Sequence, residues 1–163
     1  MVLDAVNQKV WKDTLNDWNL YQMSFGLHCQ DNPVGFEGGY LSYFKPSSFV
    51  SYTFREFSIT LRYGYVEWKG GRESSRPPFG WKSVDQDNIA INAMDALGIA
   101  EENGGKDIRR NFDNNCSIRL SLSPEKNTDG WYIEYSVENI PEFWIAINPY
   151  TGEIVERGWS GKN

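Results

Sequence analysis

Residues 117–157 read SIRLSLSPEKNTDGWYIEYSVENIPEFWIAINPYTGEIVER, and a period of two in this stretch decides the fold. Ile118, Leu120 and Leu122 alternate with Arg119, Ser121 and Ser123. Trp131, Ile133, Tyr135 and Val137 alternate with Tyr132, Glu134, Ser136 and Glu138, and Phe143, Ile145 and Ile147 with Trp144, Ala146 and Asn148. Successive side chains of a strand point to opposite faces, so each run offers one apolar face to a core. The polar stretch 124–130 reverses the chain once. The stretch 148–152 reverses it again, with Pro149 presetting φ and Gly152 tolerating a positive φ. The expectation is an antiparallel meander of three strands with a short fourth at 153–157.

Ahead of the meander, Ile89, Ala93 and Leu97 recur at four-residue spacing with Ala90 and Met94 beside them, a helical stripe. Ser83 and Gln86 have capping-box spacing, Asp85 and Asp87 suit the positive end of the helix dipole, and Gly98 is the expected stop. A helix, a strand, a strand opening on Trp131 and a strand running into Thr151-Gly152-Glu153-Ile154-Val155 resembles the PepSY-type and NTF2-like small domains. The residues that carry the likeness are 131–135 and 145–155, and it covers the second half of the chain, from Asp85 on. It implies a helix packed across a curved antiparallel sheet. It also implies roles as inhibitors, binding modules or bacterial immunity proteins more often than as enzymes.

The first half has the same order. Leu3, Val6 and Val10 with Trp11, Leu15 and Trp18 predict a helix over 4–17, and a strict alternation from Leu20 to Cys29 predicts a strand. The Gly-rich stretch 31–39 reads as a loop. A short strand starts at Tyr40 and breaks at Lys45, Pro46, Ser47 and Ser48, strands follow at 49–54 and 57–68, and the Gly- and Pro-bearing stretch 69–80 reads as an exposed loop. The fold class is therefore α+β, helices packed on a curved antiparallel sheet of cystatin or NTF2-like type. Residues 1–68 and 81–163 flank the loop 69–80, packed as one compact unit, either as two similar halves or as one continuous sheet on two helices.

The chain has 163 residues, enough for a core without staples. Sixteen Lys plus Arg stand against 22 Asp plus Glu, a formal net charge of -6. That balance argues against binding nucleic-acid phosphates and for solubility or a basic partner. Cys29 and Cys116, far apart and in no CxxC pair, form no disulfide framework. A bridge between them is open, and two free buried thiols in a reducing cytoplasm are the simpler expectation. No basic head with an apolar run marks a secretory signal at 1–10, and no run reaches the length of a membrane span, so a cytoplasmic location is expected unless a leader was removed. Asn115-Cys116-Ser117 spells a glycosylation acceptor that this location would leave unused.

Chemistry-bearing constellations are sparse. His28 and Cys29 are neighbours on one strand and point to opposite faces, which rules out a Cys-His dyad without a bulge. One His and two distant Cys do not complete a zinc site, and Asp85, Asp87, Asp107, Asp113 and Asp129 do not match a calcium loop. Gly38, Gly70 and Gly104 belong to no phosphate-binding motif. Glu134, Glu138, Glu56 and Glu67 are the carboxylates from which a glycosidase-type pair would be drawn, and each reads as a surface charge. No metal or cofactor is expected.

Aromatic content resists that plain picture, with 7 Trp, 9 Tyr and 9 Phe. Trp68, Phe79, Trp81 and Trp159 lie in or beside Gly and Pro loops, near Arg72 and Arg76, while Tyr132 and Trp144 fall opposite the apolar rows of the meander. Aromatic and Arg side chains of this kind are enriched at interface hot spots. The candidate binding residues are Trp68, Arg72, Arg76, Phe79, Trp81, Asp85, Asp87, Tyr132 and Trp144. The function expected is a non-enzymatic interaction module, an inhibitor or immunity-type protein taking a basic protein partner. Two alternatives stand beside it: a small-molecule or carbohydrate binding domain with an aromatic-lined cavity, and a hydrolase or isomerase using carboxylates.

Overall fold

The computed structural model describes residues 19–30, 35–46, 52–60, 65–74, 83–124 and 130–161, with 35–37, 45–46, 52–60, 65–74 and Gln86 described by their backbone. Eight antiparallel strands form one sheet: β1 (Asn19–His28), β2 (Gly35–Pro46), β3 (Tyr52–Thr60), β4 (Tyr65–Ser74), β5 (Ser117–Ser123), β6 (Gly130–Ser136), β7 (Glu142–Ile147) and β8 (Ile154–Ser160). The spatial order is β4-β3-β2-β1-β5-β6-β7-β8. Each half of the chain is thus a meander of hairpin-linked neighbours, and the two meanders join where β1 pairs with β5. The expected helix over 4–17 lies outside the described residues.

The alternation read from sequence sets which residues reach the core. Ile118, Leu120 and Leu122 of β5, Ile133 of β6, and Ile145 and Ile147 of β7 are all essentially inaccessible, and register places Leu120 opposite Ile133 and Ile133 opposite Ile145. Trp131 and Tyr135 complete this face. Fully burying one such aromatic side chain removes roughly 150–250 Å² from water, worth about 4–6 kcal/mol before entropy is charged against it.

One kinked helical segment covers that face. α1 (Ala93–Ala100) buries Ala96, Leu97 and Ala100, a wide turn (Glu101–Gly105) follows, and α2 (Lys106–Asn111) buries Ile108. The start of the helix corrects the sequence expectation. Asn92, not Ser83, is the N-cap: its side chain accepts from the backbone N–H groups of Met94 (2.9 Å) and Asp95 (3.0 Å), while the Asp95 carboxylate accepts from the Asn92 N–H (3.3 Å). Asp85 accordingly precedes, and Asp87 lies within, a single 3-10 turn (Gln86–Asn88) rather than the end of a longer helix. Gly98 does not stop the helix, because one glycine in mid-helix costs only about 1 kcal/mol and tertiary packing outweighs it. Asp107 lies in the first turn of α2. The kink sits at Gly104, whose φ of 128° favours glycine.

The helical segment is pinned to the sheet at both ends. The Trp131 indole N–H donates to the Ile91 carbonyl (2.7 Å), and the Ala90 and Ile91 N–H groups donate to the Pro149 carbonyl (3.0 and 2.9 Å). At the far end the Tyr135 hydroxyl donates to Glu101 Oε1 (2.7 Å), while Arg109 Nε donates to Glu101 Oε2 (2.8 Å) and Arg109 Nη2 pairs with the same oxygen. Burial, with the Glu101 carboxylate beside it, pushes the Tyr135 hydroxyl far above the usual phenol range, so it remains a donor.

Four further expectations change. Cys29 and Cys116 are disulfide-bonded with Cα atoms 5.1 Å apart, which overturns the expectation of two free thiols and removes the cysteine argument for a cytoplasmic location. The strands expected at 49–54 and 57–68 are redrawn: β3 joins the end of the first to the start of the second by running through Arg55 and Glu56, and 65–68 belong to β4, which turns back to pair with β3. Residues 69–74, expected in a loop, are the second half of β4. A bulge between Phe54 and Glu56 in the pairing absorbs Gly70 and Gly71, which an edge strand tolerates. β2 likewise begins at Gly35, inside the expected loop 31–39.

Candidate functional site

On the face of the sheet opposite the helix, β5 to β8 bring together residues that period two had separated from the core. Register sets out two rows across the strands. Ser121, Tyr132, Ala146 and Glu156 make one, and Arg119, Glu134, Trp144 and Gly158 the next. Tyr132 and Trp144 are diagonal neighbours across β6 and β7, and their rings stack with centroids 5.4 Å apart and planes at 21°. Such a pair is worth about 0.5–1.5 kcal/mol beyond area burial. Both side chains are half-buried, so part of each ring faces outward.

Carboxylates surround the pair. Burial first, and then the carboxylates of Glu134, Glu142 and Glu156, raise the Tyr132 hydroxyl above its ordinary value, with Arg119 acting in the opposite direction. Glu134 is the least accessible of the three, and Arg119 Nη2 donates to both of its carboxylate oxygens (2.7 and 3.0 Å). The expectation that Glu134 is a plain surface charge therefore fails: only its partner reaches water, with the Arg119 side chain 61% exposed. An ion pair with one exposed member contributes little stability. It does fix the orientation of the Glu134 carboxylate, one guanidinium nitrogen reaching both oxygens. Glu142 accepts from the Ser136 hydroxyl (3.0 Å), and Glu156 is exposed on β8.

The sequence candidates do not all meet. Tyr132 and Trp144 form the centre of the site. Asp85 accepts from the Asn88 side-chain amide (2.7 Å) and Asp87 is exposed, both on the 3-10 turn away from this pair. Trp68 and Arg72 lie on β4 at the opposite edge of the sheet, in register with Phe57 and Phe54. Arg76, Phe79 and Trp81 lie outside the described residues. Trp159, expected beside a loop, is part of β8, where its ring packs against Phe143 (5.4 Å) and remains 55% exposed. Arg119 and Glu142 were not among the candidates. Their signal was position on the polar side of an alternating strand, which becomes meaningful only with cross-strand register.

Other chemistry finds little support in the geometry. Cys29 is consumed by the disulfide and His28 is exposed beside it. Among the described residues no three His, Cys, Asp or Glu side chains converge as metal ligands, and no helix is long and apolar enough to cross a membrane. A cavity of about 30 Å³ between Val84, Leu122, Pro124, Gly130, Pro149 and Tyr150 has room for a water or two, far below the few hundred Å³ of a small-molecule site. No protein-family model, curated protein or solved structure matches this chain.

Proposed function

We propose that this chain is a non-enzymatic interaction module that takes a basic partner on the face formed by β5 to β8. The observation that carries the reading is the half-buried Tyr132–Trp144 stack with Glu134, Glu142 and Glu156 around it. Aromatic rings flanked by carboxylates match Lys and Arg, whose stems cover the ring while the cation meets both the ring face and the acid. The formal charge of -6 would speed the encounter. The helical segment packed on antiparallel strands supports the likeness to PepSY-type or NTF2-like domains, in which inhibitors and immunity proteins are common, and the single eight-stranded sheet favours the continuous-sheet alternative over two separate halves. The disulfide favours an oxidising compartment for the encounter.

Binding of a lysine octapeptide at low ionic strength, followed by Trp fluorescence or calorimetry, tests the proposal. Saturable binding that fades as salt rises is expected, and Trp144→Ala should weaken it about 30-fold, the size of a hot-spot loss. The melting midpoint should move by only a few degrees, since the ring is not in the core. Equal binding by Trp144→Ala and the parent chain would place the site elsewhere.

A further inference from the structure

We propose that the free edge of β8 receives the partner's basic segment as an additional strand, a proposal that rests on the basic-partner reading above. Among the described residues β8 pairs with β7 alone and ends the sheet. Every second residue of such a strand aims its N–H and C=O away from its one neighbour, a template for a further strand.

Natural sheets blunt such edges with Pro, Lys, bulges or short strands. On β8 the register shift falls at Val155, at the start of the strand, which leaves 156–160 in regular pairing with neither Pro nor Lys. Its one cation, Arg157, lies on the helix side, where it donates to the Asn103 carbonyl (3.3 Å), and Glu156 is the charge on the Trp144 side. Exposed apolar side chains remain on it, with Val155 51% and Trp159 55% accessible. Gly158 adds a second feature. A Cβ built there would lie 3.4 Å from Trp144 Cζ2, so the absence of a side chain lets the Trp144 ring reach over the β8 backbone toward the free edge.

Charge decides the occupant. A second copy of this chain would bring Glu156 and a net charge of -6 against its own kind, and like charges across a strand pair are destabilising. A basic segment is matched instead. Glu156 and Gly158 share the face with Trp144, so Lys or Arg opposite them would meet the carboxylate and the open ring. Trp159 projects to the helix side, where it packs on Phe143, so an apolar residue belongs opposite it. The recognised pattern is an extended run of alternating basic and apolar residues, an instance of strand addition in which the backbone supplies affinity and alternate side chains supply specificity.

The test is a ten-residue peptide of alternating Lys and Val, titrated into the intact chain at low salt, with two derivatives N-methylated on all Lys or on all Val amides. In an extended peptide these two sets of N–H groups point to opposite sides. One derivative should therefore lose about tenfold or more in affinity through its missing ladder hydrogen bonds while the other retains it. Equal binding by both derivatives would overturn strand addition and leave the basic-partner reading standing. Absence of binding by all three peptides would overturn both. Concentration-dependent dimerisation without peptide, abolished by Glu156→Pro, would overturn the proposal by making a second copy the occupant.

Discussion

Replacing Cys29 and Cys116 together by alanine should cost this protein much of its stability while leaving its fold in place. The two residues are 87 apart in sequence and adjacent in space, with the Cys29 N–H donating to the Cys116 carbonyl at 3.0 Å. That hydrogen bond extends the β1–β5 ladder, so the backbone holds the ends together whether or not the sulfurs are joined. The bond acts mainly on the unfolded chain. Closing a loop of this length removes about 15 cal/mol/K from the unfolded ensemble in the chain-entropy account, or about 4.6 kcal/mol at 25 °C. That is comparable to a third or more of the roughly 5–15 kcal/mol that keeps most domains folded. With a urea dependence of about 2 kcal/mol/M, the denaturation midpoint should fall by about 2 M, and the slope should rise as the released chain expands. Urea titration followed by Trp fluorescence measures this. The far-UV circular dichroism of the variant in buffer should match that of the parent. A midpoint shift under about 0.5 M, or two alkylatable thiols in the denatured, unreduced parent, would refute the argument.

The remaining expectations concern the junction of helix and sheet. A Cβ at Gly105 would overlap the Tyr135 hydroxyl, so Gly105→Ala must displace either the ring or the helix and should cost about 2–4 kcal/mol. Gly98→Ala meets nothing within 4 Å in the same helical segment and should stabilise by about 0.5–1 kcal/mol; thermal melts of both variants give the contrast, and equal effects would count against the packing described. Burial pushes the Tyr43 hydroxyl up to about 12 from 10.0, so between these values the unfolded chain loses a proton that the folded chain keeps. The associated stability is fully present below pH 10 and falls by about 2–3 kcal/mol as pH rises to 12, with Tyr135 acting in the same direction. Urea midpoints at pH 9, 10, 11 and 12 should decline accordingly and more gently in Tyr43→Phe, whereas a flat profile would contradict the burial of that hydroxyl.

Period-two alternation was legible because it records a local fact, the opposition of successive side chains. It located β1 and the strands β5 to β7 within a residue or two, and it assigned Tyr132 and Trp144 to the face away from the core. The turn before β8 was legible for a similar reason, since Gly152 takes the positive φ, 78°, that only its residue type adopts readily. Helix boundaries were less so. Ser83 and Asn92 both have capping chemistry, and the choice fell to Asn92 because Ile91 is held between Trp131 and Pro149, contacts that no local window contains.

An antiparallel α+β chain, an excess of acidic residues and two aromatic rings left out of the core follow from the order of residues alone. Tertiary structure alone decided that the chain returns from β4 to set β5 beside β1, that Cys29 and Cys116 meet across that seam, and that Arg119 answers Glu134. It also brought Glu142 and Glu156 around one aromatic pair and left β8 at the edge. Side-chain alternation is fixed by the geometry of a single strand, whereas strand order, register and cross-strand pairs depend on which distant segments bury one another's apolar faces.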